Sequence, residues 1–152
     1  MSSGRAARQR VVTGASVIGR WGAWAAIVAV GALMQELAGW EAGATLDRLE
    51  LLAAVAGLGA LPAPGPAELV TRSQRLHQAL TTGLLATWER AGWRTAAGKP
   101  LHNAELWQEL ARLVATRPVT STLNRTRGGL TVAERAHQLA ARAAREREQP
   151  AG

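Results

Sequence analysis

The 152-residue sequence contains no cysteine, no tyrosine and no phenylalanine. Without cysteine, the chain can form neither a disulfide framework nor a thiolate metal site. A chain of this length buries enough surface to fold as one domain without such cross-links. The six tryptophans are the only aromatic residues, so each of them is expected to anchor packing or to stack on a ligand.

Lysine is nearly absent as well, because Lys99 is the only lysine among 18 basic residues. The 11 acidic residues leave a net charge of +7, which favours nucleic acid, an anionic membrane or an acidic partner. The most apolar run, Trp21–Met34, is too short to cross a hydrocarbon layer of about 30 Å and lies too deep in the chain for a signal peptide. We therefore expect a cytoplasmic protein with no membrane partner.

Hydrophobic periodicity and turn residues predict the element order β-β-β-α-β-α-α-β-α, with the meander strands largely buried and the final helix fraying at its end. This order implies a mixed sheet with helices on its faces. We expect a basic tail (1–8), one domain (9–147) and a disordered end (148–152). The predicted elements are a strand from Val11 that ends at Gly14, strands Trp24–Val30 and Ala32–Trp40, a helix from Thr45 to Leu58, a strand Glu68–Thr71, helices Ser73–Leu85 and Asn103–Leu113, a strand Val119–Leu123, and a helix from the capping box Thr131–Glu134 that frays over Arg145–Glu148.

None of the common local motifs for phosphate binding, dinucleotide binding, zinc proteolysis or serine hydrolysis occurs in the sequence. Longer segments are informative instead: residues 45–54, 70–74, 88–100, 103–107 and 125–137 resemble, in order and spacing, the motifs of type I ribonuclease H. The resemblance covers roughly residues 9–147. It implies an α/β fold with a mixed five-stranded sheet, three antiparallel strands followed by two parallel ones, and helices on both faces.

The resemblance also implies where the family's catalytic residues would lie. That family resembles other two-metal nucleases, in which clustered carboxylates hold two Mg²⁺ ions. The four matching positions carry Thr13 (or Val12), Glu50, Arg72 and His137, and Arg127 matches the mobile catalytic histidine. Arginine cannot bind Mg²⁺, because it has no free lone pair. We therefore expect no metal, no cofactor and no Mg²⁺-dependent ribonuclease activity.

The remaining groups at these positions allow two interpretations each. Glu50 is either a general base or, as we favour, an ion-pair partner of Arg72. His137 is either an acid–base catalyst with Glu50 or a partly buried histidine without a role. Arg72 and Arg127 either clamp an anion or merely fill a disused metal pocket. The predicted anion site comprises Thr13, Arg72, Gln74 and Arg127.

A second group of residues matches the family's contacts to nucleic acid. Arg90, Arg94 and Lys99 correspond to a basic protrusion that grips the DNA strand, although the protrusion is less basic here. Thr45 and Asn103 match positions that bind a DNA phosphate, and both are equally explained as helix N-caps. The tryptophans of this region are expected to pack in its core: Trp88, Trp93 and Trp107.

Three functional hypotheses follow. We favour a protein that binds an RNA/DNA hybrid or structured RNA through its phosphates without cleaving it. The alternative is a metal-independent enzyme acting on a small anionic or conjugated metabolite, with Trp21 or Trp24 lining the pocket. A third hypothesis is a structural protein that forms homo-oligomers through the apolar meander Trp24–Trp40.

Overall fold

The computed structural model describes residues 8–124 and 132–148. Arg127 and Thr131, which carry two of the predictions, lie outside these ranges, as do most residues of both chain ends. In the described residues the strands are β1 (Gln9–Ile18), β2 (Trp21–Val30), β3 (Leu33–Ala42), β4 (Ala67–Thr71) and β5 (Val119–Leu123), and the helices are α1 (Leu46–Gly59), α2 (Gln74–Thr81), α3 (Leu84–Arg90), α4 (Ala104–Val114) and α5 (Val132–Glu148). None of the helices in this part of the chain is long and apolar enough to cross a membrane.

The five strands form one sheet in the order β3-β2-β1-β4-β5. Strands β1, β2 and β3 form an antiparallel meander, and β4 and β5 then join in parallel on the other side of β1. The predicted mixed five-stranded sheet is confirmed. The meander turns at Gly19 and Gly31, whose φ angles of 61° and 60° are accessible to glycine at little cost.

Strand β1 does not end at Gly14, contrary to the prediction, but continues to Ile18. Gly14 pairs with Ala25 of β2, and its missing side chain lets the backbone of α5 approach the strand. A Cβ atom at this position would lie 2.5 Å from the carbonyl oxygen of Ala136 and 2.6 Å from the amide nitrogen of His137. The glycine therefore permits close packing of helix on strand.

The predicted burial of the meander is right for β2 and wrong for β3. Most of β2 is buried, whereas Leu33 and Met34 of β3 expose 77% and 56% of their surfaces. These side chains are exposed because β3 is the edge strand and the flanking helices pack mainly on β1 and β2. Apolar composition alone does not distinguish an edge strand from a central one.

Helices cover both faces of the sheet, and β1 supplies side chains to both of them. Val11 packs with α1 and α4 in the larger core, while the next residue, Val12, packs with Ile27 and Ala136 beneath α5. Successive side chains of a strand point to opposite faces of the sheet, so a strand that is buried on both faces carries consecutive apolar residues.

The predicted helix Ser73–Leu85 is two helices, α2 and α3, separated by Gly83. The hydroxyls of Thr81 and Thr82 donate to the carbonyls of His77 and Gln78 and close the end of α2. Gly83 then adopts a φ angle of 76°, which reverses the chain before α3 begins.

The tryptophans of the second half of the chain pack as predicted. Trp107 is buried, and its ring centroid lies 4.9 Å from that of the half-buried Trp88. Trp93 packs against the same core. In the meander, Trp24 lies across Gly39 of the neighbouring strand, where a Cβ atom would come within 2.6 Å of the indole ring. These four indoles therefore serve packing.

Helix α5 continues to Glu148 instead of fraying, which corrects the prediction. An ion pair between Arg142 and Glu146, four residues apart, supports the last turns. Arg147 lies over the ring of Trp21 at 4.6 Å from its centroid, and this contact attaches the end of the helix to the sheet.

Candidate functional site

A cavity of about 290 Å³ lies where β1 and β4 stop pairing, between α1 and α5. It brings together three of the predicted site residues, namely Glu50, Arg72 and His137. Thr13 and Gln74 do not line it, since Thr13 is buried with its hydroxyl donating to the Val70 carbonyl and Gln74 is exposed at the start of α2. The lining residues are Ala15, Leu46, Asp47, Glu50, Arg72, Ser73 and His137.

Glu50 is the most buried charged residue of the cavity, with only 4% of its surface exposed. Its Oε1 accepts a hydrogen bond from the backbone amide of Arg72 at 3.1 Å, while Oε2 is buried without a hydrogen-bond partner. Burial raises the pKa of Glu50 above its usual range. The Arg72 amide and the Arg72 charge lower the pKa only in part, and the negative charge of Asp47 adds to the rise.

The predicted ion pair between Glu50 and Arg72 is wrong. The guanidinium of Arg72 instead contacts Glu134 of α5, with 3.3 Å between Nη2 and Oε2. Only the backbone of Arg72 contacts Glu50, because the extended chain after β4 presents its amide to α1 and directs the side chain toward α5. The arginine charge is thus balanced by a glutamate that sequence reasoning assigned to a helix cap.

Two residues that line the cavity, Asp47 and Ser73, were missed as site residues, and so was Glu134, which pairs with Arg72. The Ser73 hydroxyl donates to Oδ1 of Asp47 at 2.9 Å and accepts from the amide of Leu76, so it caps α2 and holds Asp47 at the same time. Glu134 could have been anticipated, since it lies three residues before His137 on one helix and therefore on the same side. The pairing of Asp47 with Ser73 has no comparable signal, because the two residues lie on different elements.

The donors of the cavity do not form a metal site. In residues 8–124 and 132–148, no group of three or more histidine, aspartate or glutamate side chains is arranged to hold a metal ion. Glu50 is a single carboxylate with one oxygen already engaged by the Arg72 amide, whereas a hard cation takes several oxygen ligands. Arg72 offers no lone pair at all.

Neither Trp21 nor Trp24 lines the cavity, which corrects that part of the enzyme hypothesis. Trp24 packs over Gly39, and Trp21 contacts Arg20 and Arg147 at the turn between β1 and β2. The cavity therefore has no aromatic wall.

Arg90 at the end of α3 and Arg94 and Lys99 on the segment between α3 and α4 are exposed, as expected for a basic protrusion. In the part of the chain that the structure describes, none of the three forms an ion pair. Arg94 donates to the Gly98 carbonyl at 2.9 Å, which orders the loop and leaves the guanidinium charge unneutralised. Exposed cations without carboxylate partners are suited to phosphate contacts.

Thr45 and Asn103 lie on opposite sides of Arg48. Thr45 is the N-cap of α1 and accepts from the Arg48 amide at 3.2 Å, as predicted. Asn103 does not cap α4 with its side chain, contrary to the prediction, because its Oδ1 accepts from Nη1 of Arg48 at 2.8 Å. The guanidinium also bonds to Glu41 and Glu105, and these hydrogen bonds raise the pKa of Arg48.

This network predicts a clear effect of Arg48→Met on stability. The change leaves Glu41 and Glu105 without their shared cation and disconnects α1 from β3 and α4. We expect a loss of about 1–2 kcal/mol in the free energy of unfolding, measured by urea denaturation. The matched control is Arg112→Met, since Arg112 pairs with Glu109 on the surface of a single helix and its loss should leave the unfolding midpoint nearly unchanged. Equal effects of the two changes would contradict the bridging role of Arg48.

Comparison with known proteins agrees with the fold. A ribonuclease H of Acidovorax sp. (strain JS42) is 45% identical over 92 residues, which are 60% of this chain and 62% of that protein. A ribonuclease H of Nitrobacter hamburgensis (strain DSM 10229 / NCIMB 13809 / X14) is 40% identical over 119 residues, or 78% of each chain. The chain thus spans less than two thirds of the length of the Acidovorax relative.

Among solved structures, the crystal structure of LC9-RNase H1, a type 1 RNase H with the type 2 active-site motif, has a TM-score of 0.79 to this chain. The two share 22% sequence identity, and the match covers 97% of this chain and 77% of that one. The similarity at this identity concerns the fold. The family model for RNase H matches residues 11–145, and on this match the chain belongs to the ribonuclease H family.

Proposed function

We propose that this protein binds an RNA/DNA hybrid without cleaving it by the two-metal reaction of its family. The observation that carries the proposal is the donor set around Glu50. Of the four positions that match the family's catalytic carboxylates, only Glu50 retains an acid, and burial raises its pKa. A single carboxyl group beside an arginine and a histidine does not suit two Mg²⁺ ions, which need several oxygen ligands, so the family's metals do not fit this site.

Binding would rest on the exposed cations of the protrusion, from which the hybrid would extend to Arg72 at the cavity. Arg90, Arg94 and Lys99 are free of carboxylate partners in the described structure and lie beside the helices that carry Trp88 and Trp107. A phosphate contact at Asn103 is opposed by charge, because Glu41 and Glu105 bond to the same Arg48 that holds Asn103. We therefore expect moderate affinity with strong salt dependence.

The test is a fluorescence-anisotropy titration of a labelled blunt-ended hybrid at low and moderate salt, followed by incubation of the same hybrid with Mg²⁺. We expect binding that weakens with salt, and no cleavage products. The variant Arg90→Ala/Arg94→Ala/Lys99→Ala should bind about tenfold or more weakly and reduce the salt slope by up to about three. Its matched control is Arg112→Ala/Arg142→Ala, which removes exposed arginines already paired with glutamates and should bind like the unchanged protein.

Two outcomes would each refute one part of the proposal. Absence of hybrid binding at low salt would remove nucleic-acid binding. Mg²⁺-dependent cleavage that is lost in Glu50→Gln would show that the metals bind despite the altered donors. Binding without cleavage, reduced by the protrusion variant alone, is the supporting result.

The cavity favours a second candidate function, metal-independent chemistry on a small anionic ligand. A volume of about 290 Å³ beside Arg72 and His137 is large enough for a small metabolite. Such an anion would have to compete with Glu134 for the arginine. A protein that ignores the hybrid yet is stabilised against heat by inorganic phosphate, with the effect lost in Arg72→Ala, would favour this alternative.

A further inference from the structure

Two tryptophans and two arginines form a layered group at the end of the meander. This group lies beside the C-terminal end of α5, whereas the cavity lies near its N-terminal end. The Arg147 guanidinium lies 4.6 Å from the ring centroid of Trp21 and 5.1 Å from that of Trp40. Arg20 lies 5.0 Å from the Trp21 ring. We call Arg20, Trp21, Trp40 and Arg147 the tryptophan–arginine stack.

Strand register explains why the two indoles share one face. Trp21 pairs with Ala42, and Ala23 pairs with Trp40, so the two tryptophans are diagonal neighbours on the α5 side of the sheet. Diagonal side chains of this size reach each other, and Arg147 enters from the last turn of α5. The group is therefore fixed by strand pairing and by helix packing together.

The stack is more exposed than a packing role requires. Trp40 exposes 53% of its surface, and both arginines are exposed. Trp107, whose role is packing, exposes only 2%. An exposed indole beside guanidinium groups is the arrangement that binds unpaired nucleotides, because a base stacks on the ring and a phosphate pairs with the cation. The carboxylate of Glu148, which lies beside Gly19, is the opposing charge at this end of the helix.

The stack is continuous with the proposed hybrid-binding region. Helix α5 carries His137 at the cavity and Arg147 at the stack, which are about 15 Å apart along the helix at roughly 1.5 Å per residue. A single strand that leaves a duplex bound at the cavity covers this distance with about two to four nucleotides. Leu46, which lines the cavity, follows shortly after Trp40 and β3 in the chain.

We propose that the tryptophan–arginine stack binds an unpaired nucleotide of the single strand that extends from a bound hybrid, with the base on Trp40 and its phosphate beside Arg147 and Arg20. The inference rests on the proposed function, because it places the hybrid at the cavity. It adds a preference for junctions between hybrid and single strand over blunt hybrid.

The experiment compares anisotropy titrations of a blunt hybrid, the same hybrid with a single-stranded extension of about four thymidines, and the free thymidine strand. We expect the extended hybrid to bind about tenfold more tightly than the blunt one. Trp40→Ala should abolish this difference and leave blunt-hybrid affinity unchanged, while Trp40→Phe should retain part of it. The matched control is Leu33→Ala, which removes another exposed apolar side chain from the other end of β3 and should retain the full difference.

The outcomes separate this inference from the proposed function. Equal affinity of the unchanged protein for blunt and extended hybrid would refute the stacking site and leave hybrid binding intact. Equal weakening of both hybrids by Trp40→Ala, with Trp40→Phe no better, would also refute it. If the blunt hybrid does not bind but the free strand does, and Trp40→Ala abolishes that binding, the proposed function fails and the stacking site stands. If no probe binds, both fail.

Discussion

We expect Gly14→Ala to destabilise the protein more than a glycine-to-alanine change at any other described position of the sheet. The new Cβ would lie 2.5 Å from the Ala136 carbonyl oxygen and 2.6 Å from the His137 amide nitrogen. Both atoms belong to the backbone of α5, so no side-chain rotation can relieve the clash, and the whole helix has to move. We expect a loss of about 2–3 kcal/mol in the free energy of unfolding, with a lower thermal midpoint.

The matched control for Gly14→Ala is Gly59→Ala, at the end of α1. A Cβ atom added there meets nothing within 4 Å. Since alanine favours helix more than glycine does, this control should be neutral or gain up to about 1 kcal/mol. If Gly14→Ala loses hybrid binding at a temperature where it is still folded, the close packing of α5 on β1 is also needed to position the cavity. A Gly14→Ala protein as stable as Gly59→Ala would contradict the close packing.

The second large effect concerns Glu50 and pH. Burial raises the folded-state pKa of Glu50 above its value in the unfolded chain. Below the unfolded pKa the carboxyl is neutral in both states and carries no penalty. As pH rises through that value toward the folded pKa, the unfolded chain ionises first, and stability falls. Glu50 therefore costs stability at neutral pH that it does not cost in acid.

Glu50→Gln removes this penalty while keeping an oxygen for the Arg72 amide. We expect the variant to be more stable than the unchanged protein at pH 7, because the neutral amide carries no charge that burial penalises. The gain should shrink as pH falls below the ordinary glutamate pKa. Thermal unfolding across this pH range measures both trends, and Glu89→Gln is the control at an exposed carboxylate of α3. A gain independent of pH would exclude ionisation of Glu50 as its cause.

The elements with strong local signals were predictable from sequence. Thr45 before an apolar periodic run predicts α1 and its cap, and both are present. The apolar meander predicts β2 and β3 but not the exposure of β3, because exposure depends on which strand ends at the sheet edge. The division of the helix at Gly83 was missed, since a helical pattern continues on both sides of the glycine.

The sequence predicted several of the residues that lie in the candidate site, but it did not predict which side chains pair with one another. The resemblance to the family placed Glu50, Arg72 and His137 together, and the cavity unites them. It could not indicate that Arg72 would contact Glu50 by its backbone and Glu134 by its side chain. The direction of the Arg72 side chain depends on how the chain turns after β4, and carboxylates on two helices, Glu50 of α1 and Glu134 of α5, compete for its guanidinium. The sequence likewise gave no indication that Arg48 would donate to Asn103, which lies on another element.

The contact of Trp24 with Gly39 bears on the fidelity of strand pairing during folding. A slip of β3 by one residue would turn every side chain of the strand to the opposite face. The exposed apolar residues of β3 gain little from either face, so burial alone discriminates weakly between the two alignments. In a slipped strand the indole would meet a side chain at Ala38 or Trp40 instead of the glycine. Gly39, which has no side chain, therefore favours one alignment of β3 on β2. Burial of apolar surface alone would leave the alternative alignments close to it in free energy.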